Sequence, residues 1–200
     1  MAFVFGTVFP LAARGASGSG FGTPWVVDAT AAATLQSQVL NLGPEVSEII
    51  TGRLRYELGF ATVETPGTGF LYDSLTVSLA RADGSGSTVV VTGDAFGLTI
   101  APLTPGGLLA GGGVAVTEIA PSLPELAGFP TTFAYTVDVE LPPALRGFPL
   151  LTTFDFFHND DGRLSRGYAL VVPEPATWAL LLVGGVLVGL SVRPAREVRR

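Results

Sequence analysis

Cysteine and lysine are absent from this chain, and histidine and methionine occur once each. Without cysteine there are no disulfides, no zinc–thiolate sites and no thiol nucleophile. Charge is scarce: charged residues make up 14 % of the 200 residues, against about a quarter in a typical soluble domain. No Gly-x-Ser-x-Gly elbow, phosphate loop, dinucleotide fingerprint or zinc pattern occurs. Gly111-Gly112-Gly113 has neither a lysine nor a strand–helix context and reads as a flexible loop. The charge that exists is unevenly placed. Residues 1–172 carry 15 acids against 7 arginines, whereas Arg193, Arg196, Arg199 and Arg200 face only Glu197. An acidic body excludes nucleic-acid binding, which needs a basic face to neutralise phosphates.

What is present is glycine (26), proline (15) and many stretches of period-two alternation. Leu54, Tyr56, Leu58 and Phe60 alternate with Arg53, Arg55 and Glu57. Leu75, Val77 and Leu79 alternate with Thr76 and Ser78, and a Gly-rich turn over 81–87 leads into the apolar run 88–92. Phe133, Tyr135, Val137, Val139 and Leu141 alternate with Thr136, Asp138 and Glu140, and Leu150, Thr152, Phe154 and Phe156 follow. A last strand is expected near 167–172. Residues 34–42 read as a strand rather than a short helix, and 101–130 as loops around one short strand near 114–119. Apolar/polar alternation is the signature of half-buried strands. Many such strands, with turn signals and no convincing amphipathic helix, predict an all-β antiparallel sandwich over residues 25–172.

The chain's last segment has a different chemistry. Residues 176–192 form a 17-residue run without charge. As a helix it would be about 26 Å long, just under a bilayer core of about 30 Å. Trp178 stands at one boundary and Arg193 and Arg196 at the other. The positive-inside bias puts the arginines in the cytoplasm and the body outside. A buried core helix would need a polar face, which the run lacks. A tail anchor with a cytosolic body would put the arginines on the wrong side. Gly185 and Gly189 have small-xxx-small spacing, although Gly184 beside them suggests plain glycine-rich membrane composition.

Val172-Pro173-Glu174-Pro175 stands immediately before this run. Prolines stop a strand and keep the chain extended, which suits an enzyme that grips backbone. The order of Pro-Glu-Pro, apolar helix and basic end over 172–200 resembles the PEP-CTERM sorting domain. The resemblance implies recognition through Pro173, Glu174 and Pro175 by an exosortase, a membrane processing enzyme. It also implies export to the cell surface or extracellular matrix in an exopolysaccharide-producing cell. Two stretches of the body, 58–65 with 70–77 and 153–162 with the closing strand, resemble a domain common in such proteins. That resemblance implies a jelly-roll, galactose-binding-like architecture.

The first 24 residues fit export less well. Their apolar run has the length of a signal-peptide core, but no basic residue precedes it and Arg14 follows it. The expectation is a leader-like or unstructured segment whose true start lies upstream; residues 3–9 as a first strand are the alternative.

Three constellations could carry chemistry. His158, beside Asp155, Asp160 and Asp161, reads as a turn histidine rather than a triad member. Paired carboxylates, as a glycosidase would use, arise by chance among so many acids, and most fall at solvent-facing strand positions or in turns. Glu64, Asp73, Asn159, Asp160 and Asp161 fall in or beside the loops of the family-like stretches and form a candidate structural calcium site, since calcium takes six to eight oxygens. The competing reading of Asn-Asp-Asp-Gly is turn chemistry. No other cofactor is expected. The expected function is non-enzymatic: an exported protein held in the inner membrane by its tail until an exosortase acts, then released to the surface or matrix, with exopolysaccharide as the expected contact. The alternatives are a secreted carbohydrate-active hydrolase on the same sandwich and a permanently anchored single-pass protein. Aromatics exposed on a sheet face would favour sugar binding; a face of Thr and Val would favour a structural role.

Overall fold

The computed structural model describes residues 22–28, 34–44, 47–64, 72–119, 126–128, 131–159 and 164–172. Ten strands run through them: β1 (Trp25–Asp28), β2 (Thr34–Leu42), β3 (Arg53–Thr62), β4 (Ser74–Arg81), β5 (Ser87–Asp94), β6 (Gly97–Ile100), β7 (Gly113–Glu118), β8 (Thr131–Glu140), β9 (Leu150–His158) and β10 (Ser165–Val172). They form two five-stranded sheets, β1-β10-β3-β8-β7 and β2-β9-β4-β5-β6. Every pairing is antiparallel, giving a β-sandwich-like, all-β architecture. The strands expected from alternation correspond to β3, β4, β5, β8, β9 and β10. The stretch 34–42 is a strand, and the short strand expected near 114–119 is β7. Helix among the described residues is limited to the five-residue α1 (Ser47–Thr51) and a 3-10 turn at Pro143–Leu145. β1 and β6 have four residues each, too few for a period to show.

Alternation decides which face is buried. In β9, Leu150, Thr152, Phe154, Phe156 and His158 face inward and the residues between them outward. In β4, Leu75, Val77 and Leu79 face inward. Trp25 stacks on Phe154 at 6.2 Å, and Tyr56 meets the same ring edge-on at 6.0 Å. Each large side chain buried this way stabilises the fold by about 1.5–3 kcal/mol. From Gly59 onward β3 is buried on both faces. There Leu126, from the connection between β7 and β8, packs over Ala61, Tyr168 and Leu170 on the outer side of the sheet.

Tyr56 is fully buried, with Thr152 Oγ1 donating to its Oη at 3.2 Å. Burial holds its hydroxyl well above the ordinary value, and the Thr152 hydrogen bond opposes this only in part. A raised folded-state value means that the folded protein keeps the proton after the unfolded chain has lost it. The resulting stabilisation is complete below about pH 10, the unfolded tyrosine value, and is lost as pH rises beyond it. Tyr56→Phe is therefore expected to cost about 1 kcal/mol at neutral pH and to narrow that deficit above pH 10. Urea midpoints measured from pH 8 to 11 check this; a constant gap would contradict it.

Register also sorts the molecule into two ends. Val172 pairs with Arg55, Arg53 with Glu140, and Arg81 with Leu150. The starts of β3 and β9 and the ends of β4, β8 and β10 thus share one end, here the tail end. The opposite, distal end carries Thr62, Ser74, His158 and Ser165 together with the β5–β6 turn.

Candidate functional site

A chain of buried polar groups closes the distal end between the sheets. Asp73 stands one residue before β4 and His158 is the last residue of β9. Each continues the inward-facing parity of its strand, so both side chains point between the sheets; both are fully buried. Asp73 Oδ2 lies 2.9 Å from His158 Nδ1, and Asp73 Oδ1 accepts from the Asn159 backbone N–H at 2.9 Å. One hydrogen bridges His158 Nδ1 and Asp73 Oδ2. The Asp73 N–H donates to Glu64 Oε2 at 3.0 Å. The Glu64 N–H donates to Thr62 Oγ1 at 2.9 Å, which also accepts from Ser165 Oγ at 2.7 Å. Two connections, β3–β4 and β9–β10, are therefore tied together through hydrogen bonds inside the sandwich. Among the described residues His158 Nε2 is buried with no hydrogen-bond partner.

Glu64, Asp73 and Asn159 thus come together, as three of the five candidate calcium ligands. Asp160 and Asp161 lie outside the described residues. The Asp73 oxygens and Glu64 Oε2 already accept N–H bonds, and among the described residues no group of three His, Cys, Asp or Glu could hold a metal ion. One reading is corrected: His158 is a core residue at a strand end rather than a turn histidine. Most of the described acids are exposed or half-buried, and Glu48, Glu64 and Asp73 are the buried ones. Strand parity could have found both partners: Asp73 is two residues before Leu75, and His158 two after Phe156.

The outer face of the β2-β9-β4-β5-β6 sheet is mainly hydroxylic and aliphatic. Ser37 Oγ donates to Asp155 Oδ1 at 2.5 Å, and the Thr76 and Thr92 hydroxyls are 3.3 Å apart. Leu35 and Val39 are exposed beside them, and Phe157 is the one aromatic that β9 turns to this side. On the other sheet, exposed pairs join Arg55 Nε to Asp138 at 2.6 Å and Arg166 to Asp28. At the distal end an exposed Phe96, in the β5–β6 turn, meets Tyr72 edge-on at 4.9 Å. This aromatic pair was not anticipated; neither residue sits in an alternating run.

The tail residues Pro173, Glu174, Pro175, Trp178, Arg193 and Arg196 lie outside the described residues, as do 1–21. Among the described residues no helix is long and apolar enough to cross a membrane. Compared with family models, curated proteins and solved structures, the chain finds no match.

Proposed function

We propose that this protein is a non-enzymatic, exported surface or matrix protein, sorted through its C-terminal tail by an exosortase. The observation that carries the reading is the ordered sequence at 172–200: Pro173-Glu174-Pro175, a 17-residue uncharged run, and four arginines against one glutamate. Charge asymmetry of that kind orients a spanning helix with its arginines in the cytoplasm and the body outside. The last strand ends at Val172, directly before Pro173. The strand order fits a jelly roll: β1-β10-β3-β8 and β2-β9-β4-β5 are its two four-stranded sheets, and β6 and β7 extend one edge of each. The buried His158–Asp73 pair favours a structural role, because both side chains are closed to solvent and offer no path to a substrate. The Ser, Thr and Val outer face points the same way. Exopolysaccharide remains the expected contact outside the cell, and a calcium ion bound near Glu64, Asp73 and Asn159 would be structural.

The test is cell fractionation of a variant with Pro173, Glu174 and Pro175 all replaced by alanine. The wild-type chain is expected outside the cell in shortened form, and the variant full-length in the inner membrane. Identical fractionation and length for the two would overturn the reading.

A further inference from the structure

We propose that the tail end of the sandwich is a phospholipid-contacting face, on which the body rests while its tail is in the membrane. The proposal rests on the tail reading above and adds a surface to it. Its first support is position. Val172 leaves β10 beside Arg55, three residues along β3 from Gly52 at the tip of this end. Only Pro173, Glu174 and Pro175 separate Val172 from the apolar run beginning at Ala176. Three residues reach at most about 11 Å, so a helix inserted from Ala176 holds this end against the headgroups.

The second support is the chemistry of the end itself. Ile50 (60 % exposed) and Phe148 (45 % exposed) are its protruding apolar side chains. They belong to one stitched surface. The Gly147 N–H donates to the Ile49 carbonyl at 3.3 Å, the Ala82 N–H to Pro149 at 3.1 Å, and the Leu141 N–H to Gly52 at 2.7 Å. The Arg81 guanidinium lies 4.8 Å above the Phe148 ring. Arg146 lies across Gly52, where an added Cβ would come within 2.5 Å of its Nε. The ion pairs of these arginines are long, 3.4 Å from Arg81 to Asp83 and 4.0 Å from Arg146 to Glu140. Isolated apolar groups ringed by arginines match the headgroup boundary, where aromatic and aliphatic tips enter and guanidinium groups meet phosphates.

The third support is the contrast between the ends. Arg53, Arg55, Arg81 and Arg146 lie at the tail end with the acids Glu48, Asp83, Asp138 and Glu140, so its described charges balance. At the distal end Asp28, Glu64, Asp73 and Asp94 face Arg166 as the one arginine described there. A negatively charged lipid surface would repel the distal end more than the tail end.

The absence of cysteine makes the test direct. Full-length protein carrying a fluorophore on Ala144→Cys (tail end) or Ala127→Cys (distal end) is reconstituted in vesicles of phosphatidylglycerol and phosphatidylethanolamine containing nitroxide lipids. The Ala144→Cys label is expected to be quenched several-fold more than the Ala127→Cys label. Adding Ile50→Ser and Phe148→Ser, at exposed positions, and Arg81→Gln, at a half-buried one outside the core, is expected to remove most of that excess. Neutralising Arg81 alone should lower the population with the body resting on the bilayer, read by the quenching, by about fivefold at low salt. Carbonate extraction of the same vesicles reads the anchor separately. Protein that resists extraction, yet shows equal quenching at both positions or an excess untouched by the three substitutions, would overturn the contact and leave the anchor standing. Protein extracted by carbonate would overturn both.

Discussion

Asp73→Ala is expected to lower the free energy of unfolding by about 2–6 kcal/mol, the cost of leaving two buried polar groups without partners at about 1–3 kcal/mol each. The loss has two parts. His158 Nδ1 and the Asn159 N–H, each 2.9 Å from an Asp73 oxygen, would be left buried without that partner. The β3–β4 and β9–β10 connections would also lose their shared anchor, because the Asp73 N–H to Glu64 bond depends on where Asp73 is held. Asp73→Asn keeps the volume and one acceptor, so it should cost roughly half as much; its amide nitrogen would face one of the two groups. Asp138→Ala is the control. Its partner Arg55 is half exposed, and such pairs contribute about 0–1 kcal/mol. Urea unfolding with an unchanged slope and midpoints ordered wild type, Asp138→Ala, Asp73→Asn, Asp73→Ala would bear this out. Asp73→Ala behaving like Asp138→Ala would show that the cluster is not a structural latch.

The second large effect is at Gly167, in the middle of β10 and paired with both Val27 and Phe60. A Cβ there would lie 2.6 Å from Phe156 Cδ2 and 3.0 Å from Val27 Cγ1. Phe156 has no room to retreat, being fully buried with its ring against Phe60 at 6.2 Å. Gly167→Ala is therefore expected to destabilise by about 2–3 kcal/mol, the upper part of the overpacking range, and Gly167→Val to prevent folding. The effect comes from space rather than backbone conformation, and that can be tested by coupling. Phe156→Leu removes the ring edge that the new methyl would strike, so the double variant should lose clearly less than the two single losses together. Strict additivity would point to another cause.

These two sites mark where the sequence was legible and where it was not. Alternation over Leu54 to Phe60, Leu75 to Leu79 and Leu150 to Phe156 exposes both sheets, because a strand with one buried face must repeat every second residue. β1 and β6 escape such reading at four residues each, and α1 is a single turn. Glu64, Asp73 and Asn159 were legible as a group of oxygen donors. Their partner was not, because His158-Asn159 followed by Asp160-Asp161-Gly162 has the composition of a turn. Only the parity of β9, carried one step past Phe156, puts the imidazole inside. Gly167 was illegible for a different reason. The need for glycine there arises from Phe156 on the facing sheet, a contact that local sequence does not encode. The tail is the opposite case. Its chemistry is local, three elements in a fixed order, and needs no tertiary contact to be read.

The most direct test of sorting through that tail is the intact mass of the protein recovered from outside the producing cell. A mature C-terminus at or near Pro173-Glu174-Pro175, with residues 176–200 missing, is the predicted result. Recovery of the chain only in membranes and ending at Arg200 would contradict the account and leave a permanently anchored single-pass protein in its place.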